Sequence, residues 1–356
     1  MSKIKFLKGY GLSISHSNNQ IKITNGIDPF SDERQIESYH VTAFPYEKIV
    51  LSGDGYISTK AIRLLLQNNI SIIQLDTFGN LVTSMCTPMQ SQKMTKWRMG
   101  QYRTFSDESK AHRLRQRFLD KKIRSEVRFF EYLQSDSRKS FKLDEVDLNQ
   151  SVLRLKSLLF KISKGETKFQ TDMIEKDASK IYFKQFAKII PERFEYSSRN
   201  NESFHPTKEN ATNVINALLN YGYAVLSSEV AKYVNAFGLD PYFGFNHKTS
   251  YYMALVYDII EPFRVLADQA VIQISNAKSM DRISKKQYYR HSKGILFEKN
   301  LIVRFLEILQ NTLNRKRPYH ITRARKSYKL GNKMSFAQES TIMKEEVRTL
   351  ANFCIT

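Results

Sequence analysis

Along the first ninety residues, apolar positions come in short bursts bounded by turn residues. The segments 21–24, 48–51 and 70–75 are rich in Ile and Val, which predicts strands. Ser52-Gly53-Asp54-Gly55 and Phe78-Gly79-Asn80 are turn chemistry, and the second predicts a hairpin joining 70–75 to 81–84. Between the two turns, Ser58 is placed to cap a short helix in which Ala61, Leu64 and Leu65 recur at helical spacing. A strand–helix–strand–strand order is not a dinucleotide fold. Gly53 and Gly55 also lack the third glycine and the Lys-Ser/Thr ending of a phosphate loop.

From about Lys93 the period changes to helical. Segments 113–133, 151–163, 173–190, 210–237, 251–260 and 295–313 space their apolar residues three and four apart, with Pro191, Pro206, Pro241, Pro262 and Pro318 at the joints. No repeat with a period of 20–50 residues is visible. The expected class is α+β. A small β-rich N-terminal domain (1–90) precedes a larger all-α domain (91–330), with a tail over 331–356.

The chain has 356 residues and a formal charge of +21, and that charge is concentrated. Residues 91–125 hold 11 basic and 3 acidic side chains, and residues 276–330 hold 15 and 3. Aromatic residues are interleaved in both: Trp97, Tyr102, Phe105 and Phe118, then Tyr288, Tyr289 and Tyr319. Cations neutralise phosphates and rings stack on unpaired bases, so the two blocks predict nucleic-acid binding. Residues 315–326, with six basic side chains and no acid, read as a mobile arm. Two cysteines are too few for a disulfide scaffold or a structural zinc site. Neither a membrane span nor a signal-peptide core is present in the sequence, so a cytoplasmic protein with no membrane partner is expected.

Three carboxylates and one imidazole are placed for chemistry. Glu175 heads a helical stripe of Ala178, Ser179, Tyr182 and Phe186, so it faces protein. A helix-start glutamate that stays solvated is the bland alternative. Gly238-Leu239-Asp240-Pro241-Tyr242-Phe243-Gly244-Phe245-Asn246-His247 describes a shaped loop that delivers a histidine. Asp258 and Glu261 are three apart on one helix face; Pro262 interrupts, and Arg264 can pair with either. A straight helix from His247 to Glu261 would hold them about 20 Å apart, so the chain near Gly244 must fold back for both to bind one ion. Oxygen ligands with a single imidazole suit Mg²⁺ or Mn²⁺.

These segments resemble the CRISPR-associated integrase family of spacer acquisition. The likeness runs from Ile49-Val50-Leu51, Ser58-Thr59-Lys60-Ala61, Ile70-Ser71-Ile72-Ile73 and Phe78-Gly79-Asn80 into the basic run over residues 98–122. It continues through Ile174-Glu175, Ala178 and Tyr182, then Asn216-Ala217-Leu218-Leu219-Asn220-Tyr221-Gly222-Tyr223 and Gly238-Leu239-Asp240-Pro241. Gly244-Phe245-Asn246-His247 and Asp258 to Glu261-Pro262-Phe263-Arg264, with Asp268 beyond, complete it.

The resemblance implies a magnesium- or manganese-dependent DNA endonuclease and integrase of antiviral defence. In that reading Glu175, His247 and Glu261 are the catalytic metal ligands, and Asp258, Arg264 and Tyr223 support them. It also implies a homodimer formed through the β domains, a small adaptation partner protein, and double-stranded and branched DNA as substrate. The expected DNA contacts are Lys93, Lys96, Arg98, Arg103, Arg113, Arg115 and Arg117, then Lys285, Lys286, Arg290, Arg315, Lys316, Arg317, Arg323 and Arg325.

Two rivals stand beside this reading. One is a casposase-type transposon integrase of the same fold. Casposases commonly carry an extra C-terminal DNA-binding domain, whereas the last forty residues here read as a basic tail. The other rival is a non-catalytic basic nucleic-acid binder.

Overall fold

The computed structural model describes residues 4–30, 33–87, 93–135, 141, 144–162, 164–165, 167–199, 211–247, 253–320 and 334–356. Arg323 and Arg325 fall outside these residues, as does the second half of the expected arm. The chain opens with strands β1 (Ile4–Lys8), β2 (Leu12–Ser17), β3 (Gln20–Thr24), β4 (Ile36–His40), β5 (Lys48–Ser52) and β6 (Gly55–Ile57). Helix α1 (Thr59–Gln67) and strands β7 (Ser71–Leu75) and β8 (Leu81–Met85) follow. Two four-stranded sheets result, in the orders β1-β5-β7-β8 and β4-β3-β2-β6. In the first, β1, β5 and β7 run parallel, and β8 returns antiparallel through the expected hairpin. Ser58 caps α1, its hydroxyl oxygen accepting from the Ala61 N–H at 3.2 Å.

Alternation explains why so apolar a run as Ile49-Val50-Leu51 is a strand. Ile49 and Leu51 join Leu12, Ile14, Ile21, Ile23 and Leu65 in a core between the sheets and α1. Val50 points the other way, packing with Phe6 and Ile73 against the helices. A parallel strand buried on both faces needs apolar residues at successive positions. The first sheet is therefore the seam that fastens the β-rich part to the helical part.

The helical part comprises α2 (Met94–Ser106), α3 (Glu108–Ser135), α4 (Glu145–Ile162), α5 (Lys168–Ile189), α6 (Val214–Ala236), α7 (Ala254–Ile260) and α8 (Arg264–Ser275). Strands β9 (Tyr288–His291) and β10 (Gly294–Phe297), helix α9 (Lys299–Asn314), strands β11 (Lys316–His320) and β12 (Met334–Gln338) and helix α10 (Glu339–Phe353) complete it. Helix α6 is the axis. All but three of its 23 residues are buried, which is what an apolar surface all round a helix requires. Gly222 permits the close approach of α8, because a Cβ there would meet the Ala267 Cβ at 2.6 Å.

The α+β class holds: a β-rich N-terminal part precedes a mostly helical remainder. Three details differ from expectation. Two short hairpins, β9–β10 and β11–β12, interrupt the helices. The helix expected over 295–313 starts only at Lys299, because the Glu298 side chain accepts from the N–H groups of Asn300 and Leu301 and caps it there. Residues 331–356 do not form a simple tail, since they contain α10, whose Ile342, Met343, Val347 and Leu350 are buried in the main core. Each such side chain is worth roughly 1.5–3 kcal/mol on burial, so α10 is part of the fold. Among the described residues no helix is long and apolar enough to cross a membrane.

Candidate active site

Four pieces of chain meet beside α3: the second turn of α5, the loop ending at His247, the α7–α8 junction and, beneath them, α6. On α5 a capping box between Thr167 and Gln170 fixes the helix start. With Ile174, Ala178, Tyr182 and Phe186 buried, Glu175 falls at the edge of the apolar stripe, and its carboxylate is partly exposed.

The loop is held from within. The Gln101 side-chain amide donates to the carbonyls of Asp240 and Phe243 at 2.9 and 2.7 Å, and its oxygen accepts from the Asp240 N–H. Phe245 anchors the loop against Phe105 and Phe118.

The chain does fold back as the distance argument requires. Asp258 is 2 % exposed. It accepts from the Asn246 N–H at 2.9 Å, from the His247 N–H at 3.3 Å, and from the His247 ring at Nδ1. Gly244 makes room for this turn, because a Cβ there would lie 2.5 Å from Asp258 Oδ2. A carboxylate only accepts, so Nδ1 carries the proton, and in the neutral ring Nε2 keeps its lone pair. The hydrogen bond that the ring donates to Asp258 raises the pKa of the half-exposed His247, and the charges of Glu261 and Glu175 add to the shift.

Pro262 does not end the helical path. It sits in a single 3₁₀ turn, Glu261–Phe263, that joins α7 to α8, where its missing N–H costs nothing. Glu261 Oε1 meets Arg264 at 2.8 Å, and the Arg264 guanidinium lies over the Tyr223 ring, 5.0 Å from its centroid. Tyr223 in turn donates to Asp268 Oδ1 at 2.7 Å, and Tyr182 donates to Asp268 Oδ2 at the same distance.

The cation at the centre is Lys122 of α3. Its ammonium lies 2.7 Å from Glu175 Oε1 and 2.9 Å from Glu261 Oε2. Burial would raise the Glu261 carboxyl, but Arg264 and Lys122 outweigh it and hold the group at about 2. Burial also opposes the charge on Lys122, yet Glu261, Glu175 and Glu126 together keep it firmly protonated. Below this layer, burial pushes Glu126 up to about 8 and Asp268 up to about 6.

Glu175 and Glu261 are thus brought together through Lys122, and His247 is tied to the same helix through Asp258. Among the described residues no three His, Cys, Asp or Glu side chains form a ready-made set around one ion. The donor chemistry nevertheless fits a hard divalent cation. Glu261 Oε2 is buried with no hydrogen bond of good geometry, and a positive charge already sits between the two carboxylates.

Sequence reasoning passed over Lys122 as an individual residue, and Glu126 entirely. The available signal was their position: they continue the stripe of Phe118 and Leu119 along α3, where apolar residues are due.

Of the expected DNA contacts, Lys93 just before α2 and Lys96, Arg98 and Arg103 on it are exposed, as are Arg113, Lys285, Lys286, Arg290, Arg315 and Lys316. Arg98 also donates to the Gly238 carbonyl at 2.8 Å. Arg117 is paired with Glu346 and Arg317 with Glu339. Arg115 departs from the expectation: it is 4 % exposed, bonds Glu108 at 2.6 Å and lines the cleft beside Glu175. Three of the interleaved aromatics, Trp97, Phe105 and Phe118, are core residues and offer no face for stacking.

A sequence model of the family described as CRISPR associated protein Cas1 matches residues 6–311. The chain is 29 % identical over 290 residues to a CRISPR-associated protein Cas1 of Methanobrevibacter ruminantium, covering 79 % of this chain and 80 % of that one. It is 28 % identical over 240 residues to a CRISPR-associated endonuclease Cas1 of Archaeoglobus fulgidus, covering 64 % and 67 %. Among solved structures, a casposase bound to integration product superposes with a TM-score of 0.78 at 23 % identity, over 100 % of this chain and 91 % of that one. A Cas6-RT-Cas1–Cas2 complex superposes with a TM-score of 0.68 at 18 % identity, over 99 % of this chain and 35 % of that one. At these identities the structural likenesses speak for the fold.

Proposed function

The chain belongs to the CRISPR associated protein Cas1 family, and on that premise we propose that it is a divalent-metal-dependent DNA endonuclease and integrase. The reaction is a transesterification: the 3′-hydroxyl of a short DNA fragment attacks a phosphodiester at the edge of a CRISPR repeat, and the repeat strand's own P–O bond breaks to release its 3′-oxygen. The observation that carries this reading is the convergence of Glu175 and Glu261 on one cationic centre, with His247 locked to the same helix by Asp258.

Glu175 and Glu261 offer oxygens to Mg²⁺ or Mn²⁺, and His247 offers Nε2. When bound, such an ion polarises the phosphoryl oxygen and stabilises the attacking and leaving oxygens. The protein's own part is to orient. Asp258 fixes the imidazole tautomer and ring angle. Arg264, backed by the Tyr223 ring, holds Glu261 in its ionised form. Exposed cations on α2, at the start of α3, and around β9 and β11 neutralise DNA phosphates and release counterions. Water in place of the 3′-hydroxyl gives strand cleavage by the same residues. A homodimer through the β-rich part and a small Cas partner complete the working assembly, in line with the Cas1–Cas2 complex among the structural relatives.

The test uses labelled oligonucleotides carrying a CRISPR repeat, a short donor duplex, and Mn²⁺ or Mg²⁺. Glu175→Ala, His247→Ala and Glu261→Ala should each abolish strand transfer and cleavage while DNA binding persists. Wild-type rates in all three would reduce the protein to a basic nucleic-acid binder. The casposase likeness favours a second reading, transposon-end integration, and the donor ends accepted in the same assay separate the two.

A further inference from the structure

We propose that Lys122 is a built-in stand-in cation, which holds Glu175 and Glu261 together when no divalent ion is bound and must vacate for one to bind both. The inference rests on the metal-dependent reading above and adds a residue that reading does not need.

The geometry allows no shared occupancy. The ammonium lies 2.7 Å from one carboxylate oxygen and 2.9 Å from the other. A small divalent ion would approach the same oxygens to about 2.1 Å. Both cations therefore claim the volume between the carboxylates. Without Lys122 the two side chains would repel across the cleft, and only Glu261 would keep a strong counter-charge, from Arg264.

The fold also supplies a second seat for the displaced ammonium. Glu126 lies one turn further along α3, on the face that carries Lys122. It is 3 % exposed, and its Oε2 has no hydrogen-bond partner among the described residues. A buried carboxyl oxygen left unsatisfied one helical turn from a buried ammonium needs a reason. Receiving Lys122 when the upper position is taken provides one. In this exchange the ammonium has an oxygen acceptor in both states, and ion affinity is set below what the ligands alone would give.

The test is Mn²⁺ binding to the full chain by isothermal titration calorimetry at fixed pH, with thermal unfolding measured with and without Mn²⁺. Lys122→Gln removes the competitor and should bind Mn²⁺ at least tenfold more tightly than wild type. Its metal-free form should melt lower, and Mn²⁺ should raise its melting temperature more than it raises that of wild type. Lys122→Arg, whose forked guanidinium grips two carboxylates more firmly, should bind Mn²⁺ at least tenfold more weakly. Should Lys122→Gln fail to fold, Lys122→Arg decides alone, and affinity equal to wild type or tighter overturns the exchange.

Equal or weaker binding by folded Lys122→Gln also overturns it, with Lys122 then only positioning its neighbours. Glu175→Ala keeps the two failures apart. If it loses Mn²⁺ while wild type and Lys122→Gln bind alike, only the exchange falls. If folded wild type and Lys122→Gln both take up no Mn²⁺, the metal site falls with it.

Discussion

Asp258→Asn is the sharpest probe of how the histidine is held. Asp258 accepts three N–H donors, two from the backbone of Asn246 and His247 and one from the His247 ring. An asparagine of the same shape turns one acceptor into an NH₂ that faces a donor. At least one hydrogen bond to a charged acceptor is then lost and one buried donor left unmatched, which costs about 2–4 kcal/mol.

The sign of the pH effect also follows. Asp258 raises the pKa of His247 in the folded protein. The stability this contributes is full below the unfolded value, roughly 6.5, and is lost as pH rises through the folded value. Wild type should therefore lose stability across that window, and Asp258→Asn should show a smaller loss, since only Glu261 and Glu175 still raise the ring's pKa. Urea unfolding at several pH values measures the first effect. Titration of ¹³C-labelled histidines, with the His247 signal assigned through His247→Gln, measures the second. Strand transfer should drop by about 10–100-fold, because the ring loses its fixed tautomer. Stability within about 0.5 kcal/mol of wild type, together with an unchanged His247 titration, would refute the argument.

A second effect lies at the seam, where Glu229 of α6 pairs with Lys48 of β5 and accepts from Tyr233 at 2.8 Å. Burial raises this carboxyl, but Lys48 and its neighbours hold it at about 2, so Glu229→Gln should cost about 3 kcal/mol at pH 7. Because the folded value is depressed, the gap between wild type and variant should be constant above about pH 4.5 and close as pH falls toward 2, as read by denaturant melts. Replacing Lys285, Lys286 and Arg290 together with Ala should weaken binding to any duplex, and the slope of log affinity against log salt should fall by about 2–3. An unchanged slope in a fluorescence-anisotropy titration would place the DNA elsewhere.

How much could be read in the sequence depended on whether a residue's neighbours are close along the chain. Strands β3, β5, β7 and β8, the Ser58 cap and most long helices were legible, because each is a local pattern. Strand β6 was not, since three residues beginning with Gly55 carry no periodicity. Neither was β4, whose residues stay at least partly exposed and so show no apolar face. The bases of β9 and β11 look like loop chemistry until a partner strand pairs with them. Glu175, His247 and Glu261 could be noticed from helical and loop spacing, but it was the family resemblance that joined them into one set. Lys122 had only its place on the stripe of Phe118 and Leu119 to mark it, because a lysine within a basic run looks solvated until packing across helices buries it.

The same physics changes what the basic blocks mean. Of the 11 bases in residues 91–125, Arg115, Arg117, Lys121 and Lys122 are at least partly buried and paired with carboxylates of this chain. All four belong to α3. The bases of α2, with Arg113, remain on the exposed face. The block is therefore two structures in one stretch of sequence: a solvent-facing row able to meet phosphates, and an inward row that neutralises carboxylates. A site built from several buried acids cannot persist without such a row, since an unpaired buried charge costs several kcal/mol. Net charge alone counts both rows as affinity for DNA. Helix α3 shows that part of it is instead what allows an acidic centre to sit inside a basic protein.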